Sequence, residues 1–129
     1  MSPIATKLIR IATEELPAAR LLAIKREIME NLSNASLSIG TIAARHGITP
    51  RYVHMLFEAE GITFSAFVMQ RRLEAAHSLL CDPDKLGSKI SAIAFQCGFS
   101  DLSWFNRAFR KRYDATPSAI RATALKQRR

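Results

Sequence analysis

Cysteine, histidine and glycine are scarce in this sequence, and long apolar runs are missing from it. Its two cysteines, Cys81 and Cys97, form neither a CxxC pair nor a disulfide framework, so we expect two reduced thiols. The three histidines lack HXXH spacing, which predicts no metal site, and five glycines provide no glycine-rich phosphate loop. With no paired carboxylates or nucleophile–base set either, we expect no cofactor and no enzyme.

Signals for a membrane or for export are also missing. No stretch approaches the roughly 18 uninterrupted apolar residues of a membrane span. The N-terminus lacks the basic segment, apolar run and small-residue cleavage site of a signal peptide. We therefore expect a cytoplasmic protein with no membrane partner.

Acidic residues are outnumbered, since 11 Asp and Glu face 19 Lys and Arg and leave a net charge of +8. On a chain of 129 residues this excess favours a polyanionic partner, which can be nucleic acid, an anionic membrane surface or an acidic protein. Four of the positive charges fall within six residues, from Arg107 to Arg112. Several more lie in the final segment, from Arg121 onward.

Apolar residues recur at helical spacing, and no alternating β-branched run indicates a strand, so the sequence predicts an all-α chain of about seven helices. The first helix is predicted from Pro17 to about Leu32. This leaves residues 1–16 as a linker remnant or N-terminal extension, or as a helix whose packing partner lies elsewhere. Ser38 is predicted to cap a helix that ends at His46, Thr49 one that ends at about Glu60, and Thr63 one that ends at about Leu80. Ser88 is predicted to cap a helix from Lys89 to Cys97, Ser100 one from Asp101 to about Arg112, and Thr116 one that ends at about Ala124.

An internal repeat organises these helices. The paired segments are 41–49 with 92–100, at an offset of 51, and, after one inserted residue, 53–57 with 105–109. Each repeat reads as a short helix, a glycine (Gly47 or Gly98), a Ser or Thr cap and a second helix, which is the pattern of a helix-turn-helix. The sequence thus predicts a first helix-turn-helix subdomain over 17–62, a linker helix over 63–82, a second subdomain over 83–124 and a frayed basic tail over 125–129.

The second helix of each repeat has an outward face that can read DNA. At about 100° per residue, the outward side chains are Arg51, His54, Met55 and Glu58 in the first repeat and Ser103, Asn106, Arg107 and Arg110 in the second. Arg, Asn and His can hydrogen-bond base edges, and Met can contact a thymine methyl group. Arg107 is the strongest candidate for base readout; its alternatives are a phosphate contact or a salt bridge.

Other polar residues are assigned to the phosphate backbone or to structure. Arg110, Lys111 and Arg112 are predicted phosphate contacts, with a solvated helix end as the alternative. Thr49 and Ser100 are predicted to cap the two outward-facing helices, where backbone N–H groups can also meet phosphates. In the linker helix, Arg71 and Arg72 are expected to pack their stems or form internal ion pairs. Trp104 is expected to pack in the core, with a base-stacking platform as the alternative.

From about Leu22 to Arg121 the sequence resembles the AraC/XylS family of bacterial transcription regulators. The most specific stretch runs from Ile90 through Gly98-Phe99 and Phe105 to Arg121, and it resembles the pattern I..IA...GF.....F.R.F......P...R. Residues 71–80 resemble the family's linker-helix pattern R....A..LL. Two departures are Met55, where the family often has Arg, and Asp114, where it usually has Gly. Asp tolerates a left-handed conformation, so we expect that turn to form.

The resemblance implies two helix-turn-helix subdomains whose recognition helices enter successive major-groove segments of duplex DNA. A linker helix of about 17 residues spans roughly 25 Å. When the width of the subdomains is added, this length is compatible with recognition helices about one DNA turn, roughly 34 Å, apart. By family analogy, Leu102 joins the base-contact set. The implied partners are double-stranded DNA, with the protein at the nucleoid when bound, and RNA polymerase; an effector-binding domain is expected elsewhere in a longer chain. The alternative from a different class is a helical protein-interaction module that uses its basic face.

Overall fold

A computed structural model of the protein describes residues 3–127, with the side chains of residues 3–6 and 16–127. Over that range the chain forms seven α-helices, one short 3₁₀ helix and no strand, so the all-α prediction is confirmed. The helices are α1 (Pro3–Glu30), α2 (Ile39–Arg45), α3 (Pro50–Glu58), α4 (Phe64–Cys81), the 3₁₀ helix (Pro83–Lys85), α5 (Ile90–Gln96), α6 (Leu102–Tyr113) and α7 (Pro117–Gln127).

The ends of the chain differ from the prediction. Helix α1 begins at Pro3, not at Pro17, so residues 3–16 form the helical alternative that the sequence left open. Pro17 lies inside α1, where its missing N–H removes one backbone hydrogen bond, to the carbonyl of Thr13, without ending the helix. At the other end, α7 extends to Gln127, so residues 125–127 are helical and not frayed. Arg128 and Arg129 lie outside the described residues.

The chain divides into two compact units. The first unit contains residues up to 31 and residues 37–67, and the second contains residues 32–36 and the chain from 68 onward. The division falls inside α4, so the predicted linker helix contributes residues to both units.

The first unit packs α1 against α2 and α3. Its fully buried side chains include Ile24 and Ile28 of α1 and Phe57 of α3. The Phe57 ring contacts the rings of Phe64 and Phe67, with centroid separations of 5.8 and 5.4 Å. This apolar centre fixes the rotation of α3, because one side of the helix must stay buried.

The second unit has an aromatic core. The rings of Phe99, Phe105 and Phe109 contact one another in sequence, with centroids 4.9 and 5.6 Å apart. The remaining buried members of the cluster are Leu73, Ala76 and Leu80 from α4, Ile93 and Ala94 from α5, and Cys97. Since Phe105 and Phe109 are fully buried, they fix which side of α6 faces the solvent.

Four predicted helix caps are confirmed and two are wrong. The hydroxyl groups of Ser38 and Thr63 each accept a backbone N–H, from Thr41 at 3.2 Å and from Ala66 at 3.0 Å. Thr49 caps α3 and Thr116 caps α7, each through a backbone N–H that donates to its hydroxyl oxygen at 3.1 Å. Ser88 does not cap α5, because Lys89 takes the N-cap position and makes no side-chain bond. Ser100 does not cap α6 either: the carboxylate of Asp101 accepts from the Trp104 N–H at 3.1 Å. Asp101 is the residue inserted in the second repeat, and it moves the start of α6 one position along the chain.

Candidate nucleic-acid interface

Helix α6 presents a polar face to solvent. Ser103, Asn106 and Arg107 are exposed, as predicted from their spacing, and so are Arg110 and Lys111. Arg107 makes no ion pair or hydrogen bond with any described residue, so the salt-bridge alternative receives no support there. Leu102 is half-buried and packs against the core of the second unit, so only part of its side chain can reach a ligand.

Helix α3 occupies the equivalent place in the first unit. Val53, Leu56 and Phe57 are buried and point into the core, as their spacing indicates. On the opposite side, Arg51, His54 and Met55 are exposed, with Met55 at 54%. The polar face also carries the exposed Glu58, which repels phosphates and gives α3 less net positive charge than α6.

The two turns contain glycines in left-handed conformations. Gly47 has φ of 64° and open space around it, since a Cβ built there meets nothing within 4 Å. Gly98 has φ of 99°, and a Cβ built there would lie 2.3 Å from the Leu32 carbonyl oxygen and 2.7 Å from Nε of Arg72. Both turns therefore favour glycine, but only Gly98 is also required by close packing.

Arg72 holds the segment that approaches Gly98. Its Nε donates to the Leu32 carbonyl at 3.0 Å, and its terminal nitrogen donates to the Asn34 carbonyl at 2.8 Å. Partial burial lowers the pKa of the guanidinium from its ordinary value. Arg71 pairs with Glu74 at 2.8 Å. The prediction that these two arginines serve internal structure is confirmed.

The two ends of α6 carry opposite charges. At its N-terminus the Asp101 carboxylate occupies the cap, while its last turn contains Arg110, Lys111 and Arg112. Both placements complement the helix dipole. Arg112 has internal partners: a terminal guanidinium nitrogen lies 3.7 Å from Oε1 of Glu74, and the guanidinium carbon lies 5.7 Å from the Tyr113 ring centroid. The positive charge of this helix end that has no acidic partner among the described residues is therefore that of Arg110 and Lys111.

Asp114 ends α6 in the left-handed conformation, with φ of 53°. Its N–H donates to the Arg110 carbonyl at 2.8 Å. The expectation that Asp supports this turn is thereby confirmed.

Trp104 contradicts its prediction: it is 53% exposed and does not pack in the core. Because it precedes Phe105 by one position, it lies about 100° around the helix from that buried ring. The equivalent residue in the first repeat is Tyr52, which is half-buried and has the Arg20 guanidinium 5.9 Å from its ring centroid. If the inward direction of α6 is defined by Phe105 and Phe109 alone, the helical spacing of 100° per residue places Trp104 at the edge of the polar face.

Other kinds of site receive no support within the described residues. They contain no cluster of three or more His, Cys, Asp or Glu side chains arranged to hold a metal ion. None of the helices in that part of the chain is both long and apolar enough to cross a membrane. Neither Cys81 nor Cys97 forms a disulfide bond, and burial raises the pKa of the Cys97 thiol to about 11.

Known proteins are similar to this chain in sequence and in fold. Residues 42–123 match the helix-turn-helix domain family. The transcriptional activator RhrA of Rhizobium meliloti (strain 1021) is 44% identical over 114 residues, which cover 88% of this chain and 36% of RhrA. The transcriptional activator NphR of a Rhodococcus species is 40% identical over 101 residues, which cover 78% of this chain and 29% of NphR. This chain thus spans about a third of the length of these curated relatives.

Among solved structures, a transcriptional regulator with an AraC-type DNA-binding domain from Chromobacterium violaceum superposes with a TM-score of 0.74 at 27% identity. The superposition covers 83% of this chain and 93% of that one. Two helix-turn-helix repeats, the outward faces of α3 and α6 and these similarities agree with one another. The chain belongs to the AraC/XylS family of transcription regulators, and residues 42–123 match its helix-turn-helix DNA-binding domain.

Proposed function

We propose that the chain binds one specific sequence of duplex DNA and regulates transcription from it, with α3 and α6 placed in successive major-groove segments. The observation that carries this proposal is the face of α6, where Arg107 is exposed without an internal partner while Phe105 and Phe109 are buried behind it. An unpaired guanidinium on a recognition helix can bind a guanine edge through two hydrogen bonds. The proposed base-contact residues are Arg51, His54, Met55, Leu102, Ser103, Asn106 and Arg107.

The phosphate backbone is bound by a second set of residues, which fix the position of the helices on DNA. The proposed set is Thr49, Ser100, Arg110, Lys111 and Arg112. Arg110 and Lys111 supply most of its charge, because Arg112 is shared with Glu74. Ser100 is exposed and is not needed as a cap, so its hydroxyl group is available to a phosphate oxygen.

The regulator acts on transcription as an activator that contacts RNA polymerase in the cytoplasm, at the nucleoid. The names of RhrA and NphR, both transcriptional activators, support this assignment. Because those relatives are about three times as long as the matched region, the proposal includes an effector-binding domain in the same longer protein. It includes no catalytic step.

Selection from a random-duplex library tests the proposal. We expect enrichment of one sequence, bound with a Kd in the nanomolar range, and a steep fall in affinity with salt. If no duplex is enriched and the protein binds an acidic protein tightly at the same salt concentration, the interaction-module alternative replaces it.

Two matched variants of α6 then separate base contacts from phosphate contacts. Arg107→Ala should relax the preference at one or two base positions of the selected site. Lys111→Ala should weaken all sequences about equally and reduce the slope of log Kd against log salt by about 1. An equal loss on every sequence for Arg107→Ala would assign Arg107 to a phosphate instead.

A further inference from the structure

The exposed indole of Trp104 lies on the border of the DNA-reading face of α6. Around the helix, Ser103 and Arg107 mark the middle of that face. At about 100° per residue, Asn106 lies about 80° to one side of this middle and Trp104 about 80° to the other. Trp104 is therefore placed as close to the centre of the face as Asn106, a proposed base-contact residue.

The surroundings of the indole are basic. Arg107 follows Trp104 by three positions and Lys111 by seven, so both lie on the same side of α6. Both are exposed and make no ion pair with a described residue. An apolar ring beside two free cations fits a polyanion that also offers apolar edges, and duplex DNA meets both conditions.

The first unit shows that exposure is not a general property of this position. Tyr52 takes the same place on α3, but Arg20 from α1 covers its ring and leaves it half-buried. No cation covers Trp104 within the described part of the chain. The second unit thus leaves a larger aromatic surface bare at the point where the first unit conceals one.

The cap of α6 narrows the range of contacts available to this turn. The Asp101 carboxylate accepts a hydrogen bond from the backbone N–H of Trp104. The N-terminus of α6 therefore carries a negative charge that repels a phosphate. A close approach of this first turn to DNA is therefore made through side chains that do not require a phosphate. The indole of Trp104 is the largest of them.

From these observations we propose that Trp104 is a further direct DNA contact, whose indole packs on an apolar edge of the duplex next to the base bound by Arg107. That edge is a thymine methyl group or a deoxyribose. Burial of the indole against DNA removes from water an apolar surface that the free protein leaves exposed. The inference rests on the proposed DNA-binding function and adds a residue to its contact set.

The chain contains a single tryptophan, so its intrinsic fluorescence reports on Trp104 alone. The probe is the duplex enriched from the random library, and binding is measured independently by the anisotropy of a label on the DNA. We expect the emission to change on binding and the accessibility of Trp104 to acrylamide to fall at least threefold. If anisotropy shows binding while emission and quenching stay those of the free protein, the inference is overturned and the proposed function stands. If no duplex binds, both fail.

Replacing each thymine of the selected site in turn by deoxyuridine distinguishes the two apolar edges. Loss of a methyl contact should weaken the wild type about three- to fivefold at one position. In Trp104→Ala, that position should become insensitive to the replacement. If no position is coupled but quenching protection is present, the contact is to deoxyribose.

Substitutions at Trp104 and at a second exposed aromatic residue complete the test. Trp104→Ala should weaken binding about tenfold, and Trp104→Phe should recover part of the loss. Phe95→Ala is the matched control, because Phe95 is an aromatic residue of similar exposure, 51%, that lies on α5. Circular dichroism checks that the variants remain folded. If Phe95→Ala and Trp104→Ala weaken binding equally, Trp104 makes no particular contact and the inference is wrong.

Discussion

Replacing Gly98 by alanine adds one methyl group at the tightest point of the second helix-turn-helix. The new Cβ would lie 2.3 Å from the Leu32 carbonyl oxygen, far inside van der Waals contact, and the residue would have to keep φ of 99°. Gly47 occupies the same place in the first repeat, with φ of 64° and no atom within 4 Å of its Cβ position. The same substitution at the two turns therefore separates the conformational cost from the steric cost.

The magnitudes of the two losses should differ clearly. A left-handed conformation costs a non-glycine residue roughly 1–2 kcal/mol, partly offset by the roughly 0.4–1 kcal/mol that alanine gains by restricting the unfolded chain. Gly47→Ala should therefore lose about 1 kcal/mol of unfolding free energy. Gly98→Ala bears the same cost, must displace a backbone carbonyl and breaks the hydrogen bond from Arg72 to Leu32, which is worth about 1.5–3 kcal/mol because its donor is charged. We expect a loss of about 3–5 kcal/mol.

Urea unfolding measures both variants. Circular dichroism follows all helices, while the fluorescence of Trp104 follows the second unit. Equal losses for Gly47→Ala and Gly98→Ala would refute the steric argument. A second refutation is available from Arg72: if Gly98→Ala combined with Arg72→Ala were more stable than Gly98→Ala alone, the obstacle would be the flexible guanidinium and not the Leu32 backbone.

Three further predictions follow from single side chains. Asp101→Asn keeps the cap but removes the negative charge, so its unfolding free energy should stay within about 0.5 kcal/mol of the wild type while its Kd for duplex DNA falls. Asp101→Ala loses the cap, so urea unfolding should show a loss of about 1 kcal/mol. Because the pKa of Cys97 is raised from 9.0 to about 11, the unfolded chain releases this proton first, and stability should fall as pH rises from 9 to 11; in Cys97→Ala this fall should be smaller, and unchanged pH dependence would contradict the assignment. Arg72→Met keeps the apolar stem but leaves two carbonyls without their donor, so urea unfolding should show a loss of about 1–3 kcal/mol; no loss would show that water replaces the guanidinium without cost.

The features that could be predicted from the sequence are those decided by a few adjacent residues. A left-handed turn needs glycine or a tolerant residue, which located Gly47, Gly98 and Asp114 correctly. A hydroxyl group three positions before its donor makes a cap, which located Thr49 and Thr116. The outward faces of α3 and α6 followed in the same way from the spacing of their buried residues.

The features that could not be predicted depend on competing or distant groups. Ser100 and Asp101 are adjacent and either can cap a helix, so the choice between them depends on where the chain enters α6. Pro17 is a good first residue of a helix, and the sequence alone does not show that α1 continues on its N-terminal side. The exposure of Trp104 depends on the lack of a covering side chain like Arg20, which lies on α1 in the first unit.

Arg72 binds two carbonyls that lie 40 and 38 positions before it in the sequence, and these belong to a short segment, residues 32–36, of the second unit. That segment is separated from the rest of its unit by an entire helix-turn-helix. The second unit is therefore discontinuous in the gene as well as in the chain. No single cut by a protease, and no single recombination point, can release it whole: a polypeptide that starts at residue 68 retains Arg72 and Gly98 but not the backbone they contact.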